Sequence, residues 1–327
     1  MSRETNRSVR ANKRFLVLIL SLAVITAVME DVGRLQDMSW HLHGLASTWQ
    51  RASSRVYASP VTQEEITCTE PLRQESGSDR FHWAGEVTAG QSIEIKDLNG
   101  DISAEPAVGG EIDVVAVKQA HRSDPASVQI KVVPHPRGVT ICAVYPGEVA
   151  NTCEPGPGNR LGNSLGNGSV HNNDVKVNFT VRVPAGVEFV GRTVNGEINA
   201  DSLRGNVDSH TVNGGIKVST SGYARAKSVN GDIEARMGSA DWAEALELKT
   251  VNGAITVALP AALSARLEAE TLNGAIESDF AVTQDGSFAV TQDGKLNRKR
   301  VRGIIGAGGR DLILKTLNGS IRVRKAG

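Results

Sequence analysis

The sequence predicts an all-β chain built as a parallel β-helix, or β-solenoid, preceded by a hydrophobic N-terminal helix. Three observations carry this prediction. A six-residue unit, [Thr/Ser/Asp]-[Val/Leu]-Asn-Gly-x-Ile, recurs seven times. Glycine is abundant, at 34 of 327 residues, while Phe, Trp and Tyr number 6, 4 and 3. Between the units apolar residues alternate, as in Val175, Val177, Phe179, Val181 and Val183, the period of a strand with one buried face. The 36 basic and 36 acidic side chains cancel. That balance excludes a general nucleic-acid binder, which needs a basic excess against phosphate. With 40% hydrophobic and 22% charged residues, the chain is not of the disordered class either.

Residues 1–14 form a basic head, with Arg3, Arg7, Arg10, Lys13 and Arg14 against Glu4. A mostly apolar run, residues 15–29, follows and ends at Glu30 and Asp31. This order reads as an export signal, the head held in the cytoplasm and the remainder sent outward. The run is shorter than the roughly 20 residues of a typical membrane span, and no small-x-small cleavage site follows it closely. Residues 15–29 are therefore expected to anchor the chain in the membrane uncut, with a cleaved signal peptide as the other reading. Residues 30–80 read as a spacer. It contains Trp40, His41, His43 and Trp49, and the two histidines are not expected to bind metal.

Three cysteines are present. Cys142 and Cys153 bracket a Pro- and Gly-containing loop and could close it as a disulfide in an oxidising compartment. Their spacing fits no zinc pattern. Cys68 is left without a role. Residues 146–173 are rich in Gly, Asn and Pro and predict a long surface loop.

The solenoid is expected over residues 81–327. Its corners are Asn99-Gly100, Asn195-Gly196, Asn213-Gly214, Asn230-Gly231, Asn252-Gly253, Asn273-Gly274 and Asn318-Gly319. Degenerate copies fall between them, at Leu203–Val207, at Ser221-Gly222 and loosely at Gly109–Ile112. The Asn-Gly spacings run 18, 17, 22 and 21 from Asn195 to Asn273, then jump to 45. Within that gap FAVTQDGS is followed at once by FAVTQDGK, a duplication at 280–295 that reads as a looped-out insertion. Removing eight residues leaves room for two turns, with Arg302–Ile305 as the missing degenerate unit.

Asn-Gly is also the strongest signal for a β-hairpin. A two-residue hairpin, however, would place the Val before Asn and the Ile after x on opposite faces. A solenoid corner lets both point into one core. Glycine would supply a positive φ there, and Asn side chains at equivalent corners, stacked about 4.8 Å apart, could hydrogen-bond along the stack.

The units TVNGEI, TVNGGI, SVNGDI, TVNGAI, TLNGAI and TLNGSI, with VNFTVRVPAGVEFVGRTVNG before them, resemble a bacterial domain family of unknown function. That family carries the label "putative adhesin" and is related to auto-transporter adhesin heads. The resemblance covers about residues 85–327. It implies a right-handed single-stranded parallel β-helix on an envelope protein and brings no catalytic residues.

Residue chemistry adds little that is specific. The positions after the corner glycines are Asp101, Glu197, Gly215, Asp232, Ala254, Ala275 and Ser320. They form no continuous acid column, so calcium binding is not expected. Asp201, Asp208, His210 and Asp232 are the candidates for carboxylate catalysis on a β-helix, against a reading as solvated turn charges. Lys295, Arg298, Lys299, Arg300 and Arg302 form a basic cluster that either meets an anionic polymer or lipid headgroup or is a solvated loop. The expectation is a non-catalytic envelope scaffold without cofactor, metal or nucleic-acid partner, binding a protein or polysaccharide. A carbohydrate-active enzyme and a partner-sensing module in envelope signalling are the alternatives.

Overall fold

The computed structural model describes residues 73–147, 153–156, 173–283, 291–293 and 298–326. Residues 1–72, with the head, the anchor, His41, His43 and Cys68, lie outside the described residues, as does most of the 146–173 loop. The described residues fall within one compact unit, Leu72–Gly327.

The N-terminal third contributes β1 (Arg73–Ser76), β2 (Arg80–Glu86), β3 (Ser92–Lys96), β4 (Ile102–Pro106), β5 (Glu111–Gln119), β6 (Gln129–His135), β7 (Gly138–Val144) and β8 (Lys176–Val183). The middle contributes β9 (Glu188–Arg192), β10 (Ile198–Leu203), β11 (Val207–His210), β12 (Ile216–Thr220), β13 (Ala224–Lys227), β14 (Ile233–Met237), β15 (Leu246–Lys249) and β16 (Ile255–Leu259). The C-terminal part adds β17 (Ala265–Asn273), β18 (Ile276–Ser278), β19 (Val282–Thr283), β20 (Thr291–Asp293), β21 (Arg298–Ile305), β22 (Arg310–Asn318) and β23 (Ile321–Lys325).

From β7 to β18 successive strands alternate between two sheets. In the first the order is β8-β4-β10-β12-β14-β16-β23-β18, and in the second β7-β3-β9-β11-β13-β15-β22-β17. All pairs within these runs are parallel. Each two-strand turn therefore stacks on the next, as a solenoid requires. Antiparallel strands appear at the ends. There β1, β2 and β5 extend the first sheet beyond β8, β6 flanks β7, and β21 covers β17.

The motif isoleucines line one side of the core. Ile102, Ile198, Ile216, Ile233, Ile255 and Ile321 are in register and buried, and Ile276 closes the column half-buried. Each such burial is worth about 1.5–3 kcal/mol. The second sheet presents the column Ile95, Gly191, Ser209, Ala226, Leu248, Leu314 and Ala269 to the same core. Small residues there admit bulkier ones opposite: a Cβ on Gly191 would come within 3.3 Å of Ile198 Cγ2.

The corners differ from expectation in two respects. Of the seven corner glycines only Gly100, at φ 150°, has a positive φ; the rest lie outside the left-handed region. Glycine is required by close approach instead. A Cβ at Gly214 would overlap the Gly196 carbonyl oxygen, one at Gly231 that of Gly214, and so on through the stack. The second correction concerns the inward residue. Thr193, Thr211, Ser228, Thr250, Thr271 and Thr316 are buried, whereas the following Val or Leu is half-buried except at Val251. The hydroxyl explains this. Thr211 Oγ1 donates to Gly196 O at 2.9 Å, Ser228 Oγ to Gly214 O at 3.0 Å and Thr250 Oγ1 to Gly231 O at 2.9 Å. Each turn thus caps the glycine carbonyl of its neighbour.

The exposed Asn side chains form a one-way ladder. Asn213 Nδ2 donates to Asn195 Oδ1 at 2.8 Å, Asn230 to Asn213 at 2.9 Å and Asn252 to Asn230 at 2.8 Å. Asn318 donates to Asn252 and Asn273 to Asn318, both at 2.7 Å. The 45-residue gap is therefore not two turns. The chain lays down the outermost turn, β17–β18, first, then returns to insert β22–β23 between it and β15–β16. Arg302–Ile305 belongs to β21, which runs antiparallel to β17, and Gly109–Ile112 leads into antiparallel β5, so neither is a solenoid turn. Of the duplicated stretch, 284–290 and 294–295 lie outside the described residues.

At the N-terminal end Asp97 stands where later turns have Thr. It is fully buried, and Oδ1 accepts from Leu98 N at 2.8 Å and lies 3.2 Å from the Tyr145 hydroxyl. Its Oδ2 has no hydrogen-bond partner among the described residues. Burial pushes the Asp97 carboxyl up to about 7.

Two predictions test these assignments. Gly214→Ala should lower stability by about 1–3 kcal/mol through overpacking, whereas Gly215→Ala, whose Cβ would meet nothing closer than 3.6 Å, should stay within about 0.5 kcal/mol. Equal unfolding midpoints in urea would refute the close-approach account. For Asp97, the folded chain binds a proton that the unfolded chain releases near 3.8, so stability falls by about 1.4 kcal/mol per pH unit between those values and is flat above. The Tm advantage of Asp97→Asn over wild type should accordingly grow from pH 5 to pH 8; a pH-independent difference would contradict it.

Candidate functional site

The outer face of the second sheet concentrates the charge. The residue before each motif Thr, Ser or Asp points outward, and in six of seven copies it is basic: Lys96, Arg192, His210, Lys227, Lys249 and Lys315, with Glu270 as the seventh. These residues are neighbours in register from strand to strand. Like charges one strand apart repel, so the column needs compensation. Carboxylates two residues earlier supply it on every second strand, at Glu94, Asp208, Glu247 and Glu268.

Each acid serves two cations. Arg192 bridges Glu94 at 3.0 Å and Asp208 at 3.1 Å, and His210 Nε2 lies 2.8 Å from Asp208 Oδ1. Glu247 takes Lys227 at 3.2 Å and Lys249 at 2.6 Å. Glu268 takes Lys315 at 3.2 Å and Arg302 at 3.0 Å. Burial alone would raise these carboxyl pKa values. At Asp208 the charges of His210 and Arg192 outweigh it, at Glu247 those of Lys249 and Lys227, and at Glu268 those of Arg302 and Lys315, so all three stay below the ordinary range.

At the N-terminal end the face is covered. Cys142 on β7 is bonded to Cys153, with Cα atoms 5.7 Å apart. This pins residues 153–156 over β3 as a strap. Beneath it Lys96 Nζ donates to Glu154 O at 2.6 Å and Gly156 O at 2.8 Å, while Gly156 N donates to Glu94 Oε2 at 3.0 Å. Thr140 Oγ1 also donates to Glu94 Oε2, at 2.9 Å. Lys96 is only 2% exposed; desolvation lowers its pKa, opposed by Glu94.

Of the catalytic candidates only Asp208 and His210 come together. Ser209 between them faces the core, away from the pair. Asp201 is exposed on β10, in the first sheet, and Asp232 Oδ1 accepts from Ala254 N at 2.7 Å, a link between turns that Asp101 repeats with Glu197 N at 2.8 Å. In the basic cluster Arg300 bridges Glu270 at 2.5 Å and Arg302 bridges Glu268. Arg298 and Lys299 lie on β21, and Lys295 is outside the described residues. Among the described residues no group of three His, Cys, Asp or Glu could hold a metal ion, and no helix is long and apolar enough to cross a membrane. Sequence reasoning missed the cation column. Its signal was present in KDLNG, RTVNG, HTVNG, KSVNG, KTVNG and KTLNG, one residue ahead of the unit considered.

Together these features define a two-sheeted parallel β-solenoid with Asn-Gly corners and a charge-laddered face. Residues 84–324 match the family described as Toastrack DUF4097, and the chain belongs to that family. Two solved structures are similar at low identity. A putative cell adhesion protein from Clostridium sporogenes ATCC 15579 shares 14% identity, with 75% of this chain and 99% of that one covered and a TM-score of 0.37. A putative adhesin from Bacteroides fragilis NCTC 9343 shares 13%, with 76% and 98% covered and a TM-score of 0.32. No curated protein matches.

The strap makes a prediction. Reducing Cys142–Cys153, or replacing Cys153 by Ser, should let residues 153–156 open locally and raise amine labelling of Lys96 several-fold, read by mass spectrometry. Equal protection of Lys96 in oxidised and reduced protein would show that the disulfide does not hold the strap.

Proposed function

We propose that this chain is a non-catalytic, exported envelope protein whose solenoid presents a rigid face for binding a protein or polysaccharide, as an adhesin does. The observation that carries this reading is the outer face of the second sheet. Its carboxylates are each committed to neighbouring basic side chains along the ladder instead of converging on one point. In the Asp208–His210 pair both members are engaged, the carboxylate also holding Arg192.

Export is supported by the basic, apolar and acidic order of residues 1–31 and by the Cys142–Cys153 bond, which persists in oxidising compartments. Residues 15–29 then serve as the signal anchor, 30–80 as spacer and 81–327 as the solenoid. A right-handed coil is favoured because connections between parallel strands of one sheet strongly prefer that hand.

Alkaline phosphatase joined after residue 72 should be active in the host, and the purified full-length protein should bind envelope material without releasing reducing ends. An inactive fusion would overturn export. Sugar release by wild type that Asp208→Asn abolishes would overturn the non-catalytic reading.

A further inference from the structure

We propose that the stretch of this face from β13 to β21 binds a linear acidic polysaccharide lying across the strands, along the solenoid axis. The inference rests on the binding reading above and names its ligand class.

In this stretch the cation column is partly exposed, from Lys249 at 19% to Lys315 at 38%. Arg225, Lys227, Lys249, Lys315, Arg300 and Arg302 lie on four strands, β13, β15, β22 and β21, with β17 between the last two. Against them stand Glu247, Glu268 and Glu270; the adjoining Arg266–Asp311 pair, at 2.8 Å, cancels itself. Cations outnumber acids here, although Asp208, in register with Arg225, and Glu188 also attract that guanidinium. Arg225 has no ion-pair partner among the described residues and lies over the Tyr223 ring, 5.2 Å from its centroid. That leaves an aromatic and a guanidinium side by side at the start of the stretch.

The geometry selects the partner. Strands stand about 4.8 Å apart, so the excess cationic charge is spread over about 19 Å in two adjacent rows. A chain carrying one carboxylate per sugar or per disaccharide matches that density. Duplex DNA, with a charge every 1.7 Å or so, does not, and the net charge of the whole protein is zero. A membrane surface would need a broad basic patch, whereas this column is flanked by acids. The stacking of β22 between β15 and β17 extends the cation column by one strand, with Lys315 in register between Lys249 and the acid Glu270 that interrupts it.

The test uses the full-length protein, with polygalacturonate as probe and neutral galactan as control. Wild type should bind polygalacturonate, more weakly as salt rises, and leave galactan unbound. The triple variant Lys227→Gln, Lys249→Gln, Lys315→Gln should lose at least about tenfold in affinity, a difference of about 1.4 kcal/mol. A variant with the same charge loss on the first sheet, Lys217→Gln with Arg322→Gln and Arg236→Gln, should bind as wild type does. If the triple variant melts early, the single reversal Lys315→Glu replaces it, with the same expectation of weakened binding. Undiminished binding by the second-sheet variants, equal loss in the first-sheet variant, or tighter binding to duplex DNA at the same salt would each overturn the proposal. Retention on envelope material with no affinity for polygalacturonate would also overturn it, while leaving the binding reading intact.

Discussion

The carbonyl of each corner glycine points into the place where the next turn's glycine has no side chain, and receives that turn's Thr hydroxyl. The rest of the molecule depends on this contact. It requires glycine, since any Cβ would overlap the oxygen. It requires Thr or Ser one strand-step inward, since a buried carbonyl left unpaired is costly. With both fixed, turns repeat at strand spacing, the Asn amides come within hydrogen-bond reach of one another, and the Ile column closes over the core.

A solenoid's stacking surface must end somewhere, and this chain ends it by threading out of order. At one end β7–β8 lies outside β3–β4 although it comes later in the chain; at the other β17–β18 lies outside β22–β23 although it comes earlier. Antiparallel strands then extend beyond these end turns. The disulfide strap reinforces the N-terminal end, where Asp97 breaks the Thr pattern and Tyr145 supplies the hydroxyl.

The charged face follows from the same repeat. A residue one position before Thr must point outward, because alternate strand residues face opposite sides. Repeating a basic residue there stacks like charges, and the acids on every second strand relieve the repulsion without neutralising it. What stabilises the sheet also lines its outer face with a strip of basic side chains.

The sequence by itself determined the periodic part. Thr-Val-Asn-Gly-x-Ile dictates one turn, its recurrence dictates stacking, and the face assignment of the Ile follows from strand alternation. It also placed Cys142 and Cys153 on either side of one loop. Three things required tertiary structure. The reason for glycine is contact with another turn, so the local motif suggested a positive φ where the true constraint is a neighbouring oxygen. The order of stacking is not a property of spacing: Asn318 sits beside Asn252 because a later strand fits between two earlier ones. The pairing of Arg192 with both Glu94 and Asp208, and of Lys227 with Glu247, depends on which strands become neighbours, and register across parallel strands is set by the core they share.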